Sequence, residues 1–124
     1  MPIRISNTDV DRPEGFNSAA VKSNGLVFTS GNVGLNYETG EYSESVEEQA
    51  HQAFKNVKKT LETSGAGLDT VLKVLLFISD GNDGPKINEI YKTYFSEKPA
   101  RSCVIVQFPN PKIKLELECV AECK

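Results

Sequence analysis

Four residues near the C-terminal end of the chain could do chemistry on a small anion. Arg101 and Cys103 lie in one segment of alternating character, and Glu116 and Glu118 lie in the next. An arginine grips a carboxylate through two parallel hydrogen bonds, and a nearby glutamate can orient or deprotonate a water molecule. This combination of residue types therefore favours hydrolysis of a small organic acid.

The alternation of the two segments predicts how these side chains are grouped. Segments 100–108 and 112–122 are predicted strands, joined across 109–111 and paired as an antiparallel hairpin. The rows predicted to face the helices are Ser102, Val104 and Val106 on one strand, and Ile113, Leu115 and Leu117 on the other. In the resulting register Arg101 is opposite Glu118 and Cys103 is opposite Glu116, all on the face away from the helices. The alternative interpretation is a solvated cross-strand ion pair between Arg101 and Glu118, worth about 0 to 1 kcal/mol.

The elements that must position these residues follow from local patterns. Segments 19–22 and 26–33 flank an Asn24-Gly25 pair, which is typical of a β-hairpin. Ser45 begins a helical apolar period that continues to Gly65, and 71–78 is a nearly continuous apolar run that indicates a central strand.

The second helix and the order of elements complete the predicted fold. A helix begins at Gly84-Pro85 and ends before Pro99. Its helical period predicts a core-facing apolar stripe of Ile87, Ile90, Tyr91, Tyr94 and Phe95, which favours the core over a stacking platform for the aromatic rings. The order is ββαβαββ, an α+β fold with two helices on one face of a mixed or antiparallel sheet. The opposite face is then left to solvent or to another copy of the chain.

Composition limits the classes of function. With 124 residues, the sequence predicts one domain spanning 1–124. A net charge of -3 without a basic stretch does not favour nucleic acid as the default partner. Three cysteines and one histidine favour neither a disulfide framework nor a metal site. The sequence contains no nucleotide-binding or other cofactor motif. No apolar run is long enough to cross a membrane. The N-terminal residues predict a cytoplasmic location, or a mitochondrial one if a presequence is missing.

Four segments together resemble a known family over nearly the whole chain. They are Phe28-Thr29-Ser30-Gly31-Asn32, Asn88-x-x-Tyr91 with the following Tyr94-Phe95, Pro99-Ala100-Arg101-Ser102-Cys103-Val104, and Leu115-Glu116-Leu117-Glu118-Cys119-Val120-Ala121. They resemble the RidA/YjgF family of reactive-intermediate deaminases. The resemblance implies a chorismate-mutase-like fold, a homotrimer with ligand clefts between subunits, and no cofactor. It further implies hydrolysis of 2-imino acids such as 2-iminobutanoate and 2-iminopropanoate to 2-keto acids and ammonia.

The same resemblance assigns roles to individual residues. Arg101 binds the substrate carboxylate, and the backbone of Cys103 contacts the imine end of the ligand. Glu116 positions or activates the attacking water, and Glu118 is the second choice for that acid. Ser30 lines the cleft, together with the adjoining Gly31.

Two positions depart from the family pattern. Asn17 stands where the family usually has a ligand-contacting tyrosine, and Gly84 stands where it usually has an aromatic wall of the cleft. These departures leave open a non-catalytic module that binds small carboxylates or regulates another protein. A third alternative, RNA cleavage or translation inhibition, is less favoured because the chain is acidic.

Overall fold

The computed structural model describes residues 1–124 and contains one mixed sheet, a small second sheet and two helices. The strands are β1 (Ile3–Ile5), β2 (Ala20–Ser23), β3 (Leu26–Thr29), β4 (Asn32–Val33), β5 (Leu35–Asn36), β6 (Glu41–Tyr42), β7 (Val71–Ile78), β8 (Ala100–Ile105) and β9 (Leu115–Glu122). The helices are α1 (Val46–Thr63) and α2 (Gly84–Tyr94). The main sheet has the order β1-β2-β3-β9-β7-β8, with β4 also paired to β9, while β5 and β6 form the second sheet.

The predicted N-terminal hairpin is confirmed by β2 and β3. The two strands pair with Ser23 opposite Leu26, and Asn24 and Gly25 form the turn with φ values of 54° and 78°. A two-residue turn that matches the twist of its strands needs positive φ at both positions, which Asn and Gly tolerate best. The hairpin is therefore specified by its own two turn residues.

Both predicted helices are confirmed, and each begins at a local signal. The Ser45 side chain accepts a hydrogen bond from the Glu48 N–H at the start of α1, which satisfies one of the free amides of the first turn. Helix α2 starts at Gly84 with Pro85 in its first turn. The apolar faces of both helices enter one cluster of 19 buried residues with one side of the sheet, so the sheet has a covered face and an open face.

The predicted pairing of the last two strands is wrong. Strand β8 pairs in parallel with β7, and β9 pairs antiparallel with the other edge of β7. Helix α2 connects β7 to β8, and a connection of this kind allows parallel pairing. The segment 106–114 is not a hairpin turn: it crosses the end of β7, where the Val106 N–H donates to the Ile78 carbonyl and the Ser79 N–H donates to the Lys114 carbonyl.

The open face of the sheet carries a row of apolar side chains. Phe28 and Val104 are 45% and 44% exposed, and no helix of this chain covers them. Half-buried Leu75, Phe77 and Val120 occupy the same face according to the strand register. The prediction that both helices pack on one side of the sheet is confirmed, and it leaves this apolar surface uncovered.

Candidate functional site

Strand register places Arg101 and Cys103 on the covered face, not on the open one. Arg101 pairs with Val74 and Cys103 pairs with Leu76, and both partners are buried beneath the helices. Paired residues of neighbouring strands point to the same side of a sheet. The predicted helix-facing row of Ser102, Val104 and Val106 is thus wrong for β8: Ser102 and Val104 lie on the open face.

Glu116 and Glu118 lie on the opposite side from Arg101. Glu116 pairs with Phe77 and Glu118 pairs with Leu75, while the intervening Leu117 is buried. The predicted proximity of Arg101 to Glu118, and of Cys103 to Glu116, is contradicted because β7 separates the two strands. The cross-strand ion pair is also absent: the three ion pairs of the structure all involve other residues.

We call Arg101, Cys103 and their supporting residues the arginine half of the site. The Arg101 Nη1 donates a hydrogen bond of 2.8 Å to the Asn88 Oδ1. Its guanidinium carbon lies 4.6 Å from the centre of the Tyr91 ring, a distance suited to a cation–π interaction. Asn88 and Tyr91 are three residues apart on α2, so one helix face supplies both contacts. The guanidinium is held in place without being neutralised.

Tyr91 supports the arginine as a neutral ring. Burial raises the pKa of Tyr91 to about 12, although the charge of Arg101 acts in the opposite direction. The ring stacks on Phe95 with centroids 4.5 Å apart, and the buried hydroxyl has no hydrogen-bond partner. The sequence pattern assigned Tyr91 to the core stripe of α2, and its platform role was missed. The Asn88-x-x-Tyr91 spacing was the available signal.

We call Glu116, Gly31, Ser30 and Asn17 the glutamate half of the site. The Glu116 carboxylate lies directly against Gly31, where any Cβ would collide with it. Half-buried Glu116 has a raised pKa, first because burial disfavours the charged form and second because Glu118 is also negative. Glu116 is thus a stronger base than an ordinary glutamate, and Gly31 makes the close approach possible.

Asn17 and Ser30 are joined by hydrogen bonds beside Gly31. The Ser30 Oγ donates to the Ser18 carbonyl at 2.6 Å, and the Asn17 Nδ2 donates to the Ser30 Oγ at 3.3 Å. The Asn7 side chain holds the Asn17 carbonyl at 3.0 Å. Asn17, Ser30 and Gly31 line a cavity of about 200 Å³. The structure therefore brings together these three predicted residues and Glu116.

The two halves do not form a single site within one chain. Arg101 and Cys103 are on the covered face of an edge strand, whereas Glu116 and the exposed Glu118 are on the open face of β9. At Gly84, a Cβ would meet open space, so the first turn of α2 has room for a larger side chain. Each half presents its chemistry outward, in a different direction.

Two further observations concern ligands and membranes. No group of three or more His, Cys, Asp or Glu side chains is arranged to hold a metal ion. Neither helix has the length and apolar character that crossing a membrane requires.

Comparison with known proteins identifies relatives along almost the whole chain. Residues 9–123 match the family described as Endoribonuclease L-PSP. The chain is 39% identical over 126 residues to the 2-iminobutanoate/2-iminopropanoate deaminase of Dermatophagoides farinae, with 98% of each protein covered. It is 44% identical over 106 residues to Reactive Intermediate Deaminase A, chloroplastic, of Arabidopsis thaliana; these residues span 84% of this chain and 57% of the plant protein.

Solved structures agree with this assignment. Yeast Mmf1 superimposes with a TM-score of 0.92 at 34% identity, covering 100% of both chains. E. coli TdcF with bound serine superimposes with a TM-score of 0.87 at 33% identity, covering 98% of this chain and 100% of TdcF. The family match and the extent of these similarities show that the chain belongs to the Endoribonuclease L-PSP family, which is the RidA/YjgF family of reactive-intermediate deaminases.

Proposed function

We propose that this chain hydrolyses 2-imino acids, including 2-iminobutanoate and 2-iminopropanoate, to 2-keto acids and ammonia without a cofactor. The relative from Dermatophagoides farinae is named for these two substrates. The observation that carries the proposal is the Arg101 guanidinium, which Asn88 and Tyr91 hold while no carboxylate of its own chain pairs with it.

An arginine in this state is prepared to bind a small acid. Its planar fork matches the two oxygens of a carboxylate, and a bond to Asn88 through Nη1 still leaves other N–H groups free. Stacking on Tyr91 limits the movement of the guanidinium, so less side-chain entropy is lost when the ligand binds. The α-carboxylate common to all 2-imino acids is the anion of the appropriate shape and charge.

The complete site is proposed to lie between subunits of a homotrimer with a chorismate-mutase-like arrangement of sheets. Within one chain Arg101 and Glu116 lie on opposite faces and on strands separated by β7. The exposed Phe28 and Val104 on the open face are suited to burial against another copy. In such an assembly the arginine half of one subunit can meet the glutamate half of its neighbour.

Hydrolysis then needs a positioned water and a base. Glu116 accepts a proton from the water molecule as the water oxygen attacks the carbon of the C=N bond, and the imine nitrogen gains a proton. The tetrahedral intermediate forms a C=O bond as the C–N bond breaks, with the water protons carried to the departing ammonia. A raised pKa makes Glu116 a better proton acceptor than a solvated glutamate. The contribution of Arg101 is to orient the substrate for this attack.

The remaining predicted residues have subsidiary roles in this proposal. Ser30, Gly31 and Asn17 line the cleft, and the backbone of Cys103 contacts the imine end of the ligand. Glu118 is the second choice for the base, because it lies on the same face as Glu116 but is exposed. In the absence of the family's tyrosine, the Asn17 amide supplies a donor and acceptor in place of a phenolic hydroxyl.

The proposal is tested by competition with semicarbazide. An amino-acid oxidase generates the imine, semicarbazide traps it, and an active deaminase lowers the rate of semicarbazone formation. Arg101→Ala is expected to lower kcat/KM by about a hundredfold or more, because charge-assisted hydrogen bonds to the substrate are lost. Lys92→Gln is the matched control, since Lys92 is an exposed cation on α2 that pairs with Glu89.

The competing functions give different results in the same experiments. Equal semicarbazone yields with and without the wild-type protein would contradict the deaminase proposal. Calorimetric binding of 2-ketobutyrate without turnover would instead support a carboxylate-binding module. RNA cleavage, which the family description names, is disfavoured by the net charge of -3. For location we propose the cytoplasm, with an organelle as the alternative suggested by the chloroplastic relative.

A further inference from the structure

Arg12 is a second half-buried arginine without a counter-ion. Its Nη2 donates to the Asn56 carbonyl and to the Thr60 Oγ1, both at 3.0 Å. Its Nε is buried and has no hydrogen-bond partner, and none of the three ion pairs of the chain includes it. A half-buried guanidinium whose buried Nε lacks an acceptor and which has no neighbouring carboxylate is destabilising unless an anion completes its contacts.

The position of Arg12 is next to the glutamate half of the site. Arg12 lines the cavity of about 200 Å³ that also includes Asn17, Ser30 and Gly31. Gly31 is the residue against which the Glu116 carboxylate packs. The guanidinium carbon lies 5.0 Å from the centre of the Tyr37 ring, which borders the same cavity. The cation is thus fixed on two sides at the wall of the proposed cleft.

We propose that Arg12 binds a second carboxylate at the far end of the substrate, so that the preferred substrates are dicarboxylic 2-imino acids of four or five carbons. This inference rests on the proposed function and specifies its substrate class. The α-carboxylate binds Arg101, the C=N carbon lies near Glu116, and the distal carboxylate enters the cavity beside Arg12. The Asn17 amide and the Ser30 hydroxyl, which are hydrogen-bonded to each other, make the lining of this cavity polar. A polar lining suits a charged carboxylate better than an apolar substrate tail.

The reaction itself is unchanged by the second carboxylate. Water adds its oxygen to the carbon of the C=N bond, the C–N bond breaks, and ammonia leaves with the protons that the water brought. The distal carboxylate neither gains nor loses a bond. Arg12 is therefore a specificity-determining residue, and its effect should appear in the ratio of two substrates.

The test compares imines that differ in one carboxylate. Oxidases generate the imines of aspartate and of alanine, and the semicarbazide assay gives kcat/KM for each with the wild-type protein. We expect the wild type to favour the dicarboxylic imine by about tenfold or more, because a charge-assisted hydrogen bond contributes that much. Arg12→Gln should reduce this ratio to near one, and Arg12→Lys should retain part of it.

Lys55→Gln is the matched control for general charge effects. Lys55 is exposed and lines a separate cavity of about 550 Å³ that Arg12 also borders. The ratio should stay at its wild-type value in this variant. A ratio that falls as far in Lys55→Gln as in Arg12→Gln would overturn the proposal, and so would a wild-type protein that prefers the monocarboxylic imine.

Stability and binding measurements separate the remaining outcomes. If Arg12→Gln does not fold, because its contacts with Asn56 and Thr60 are lost, the wild-type ratio and Arg12→Lys decide the question. If the wild type turns over neither imine, the proposed function fails, and calorimetry still tests Arg12. Tighter binding of 2-oxoglutarate than of 2-ketobutyrate, reduced in Arg12→Lys and lost in Arg12→Gln, would then support the anion site, whereas equal binding of the two acids by the wild type would refute it.

Discussion

The arginine half and the glutamate half of the candidate site are prepared for chemistry in different ways. In the arginine half, Asn88 and Tyr91 hold the positively charged guanidinium of Arg101, which extends from the edge strand β8. In the glutamate half, burial and a neighbouring charge raise the pKa of Glu116, and close packing against Gly31 holds it. The arginine half supplies a cation in a fixed orientation, and the glutamate half supplies a base. They face away from each other, so the fold of one chain supplies both parts of the proposed site without joining them.

The largest expected effect comes from removing the base. Glu116→Gln keeps the size of the side chain but cannot accept a proton, so kcat in the semicarbazide assay should fall by about 10² to 10⁴. Its thermal unfolding temperature at neutral pH should rise. A raised pKa means that the folded state binds the proton more tightly, so stability falls as pH rises from the usual range of a glutamate through the folded pKa.

Glu118→Gln is the control for this substitution. It removes a negative charge from the same face but leaves Glu116 in place, so kcat should change far less. A larger loss in Glu118→Gln than in Glu116→Gln would exchange the roles of the two carboxylates.

Mixed assemblies test whether the two halves meet between copies. Arg101→Ala and Glu116→Gln chains, refolded together in equal amounts, should regain about a quarter of the wild-type activity. In a cyclic trimer each cleft takes one residue from each of two neighbours, and random mixing makes about one cleft in four fully wild type. The semicarbazide assay before and after mixing measures this gain.

The control mixture pairs Arg101→Ala with the double variant that carries both substitutions. No cleft of that mixture contains both native residues, so activity should stay at the level of the single variants. Absence of any gain in the first mixture, with subunit exchange shown by mass spectrometry, would place the complete site within one chain or remove it altogether.

Substitutions of Asn88 test whether the orientation of Arg101 matters for substrate binding. Asn88→Ala should raise KM about tenfold, because it removes the hydrogen bond that orients Arg101. Asn88→Asp keeps the size of the side chain but adds a negative charge that competes with the substrate carboxylate, so its KM should be higher still. In both variants kcat should change less than KM. A loss confined to thermal stability would mean that Asn88 has only a structural role.

The smallest expected effect is a shift in the pH profile. Because the pKa of Glu116 is raised, the acidic limb of kcat/KM should lie above the usual range of a glutamate. In Glu118→Gln one of the two causes of that shift is absent, so the limb should move to lower pH, while the variant Lys92→Gln should keep the wild-type profile. An acidic limb at the usual position of a glutamate in the wild type would contradict the assignment of Glu116 as the base.

Local signals predicted most of the fold because each depends on neighbours in the chain. Asn24-Gly25 specified a turn, Ser45 a helix start, and the run 71–78 a strand buried in the sheet. The prediction that β8 pairs with β9 failed because pairing depends on which strand, distant in the chain, lies next to each of them in the sheet. The proline-rich segment after β8 was interpreted as a tight turn, whereas it spans the end of β7.

In the candidate site, too, local patterns predicted some features and missed those that depend on distant contacts. Residue types and the family resemblance predicted Arg101, Glu116, Ser30 and Gly31 as site residues, and their roles stay predictions. The predicted register that placed Arg101 and Glu116 on one face was wrong. Tyr91 was assigned to the core because an apolar helical period cannot distinguish a ring that fills the interior from one that also supports a cation. Arg12 carried no local signal, since its partners on α1 are distant in the chain.

The sequence alone determined the two helices, the principal strands and their order, the packing of both helices on one side of the sheet, and the resemblance to the family. It did not predict β1, β5 or β6, and it predicted one strand over 26–33 where the structure has β3 and β4. Only the tertiary structure decided that β7 separates β8, which carries Arg101, from β9, which carries Glu116. Arg101 and Glu116 therefore lie on opposite faces of the sheet. Alternation along a strand specifies two faces, but the strand's neighbours in the sheet and the helices that pack on the sheet decide which face is buried. That choice depends on the core packing of the whole chain, and no short segment contains it.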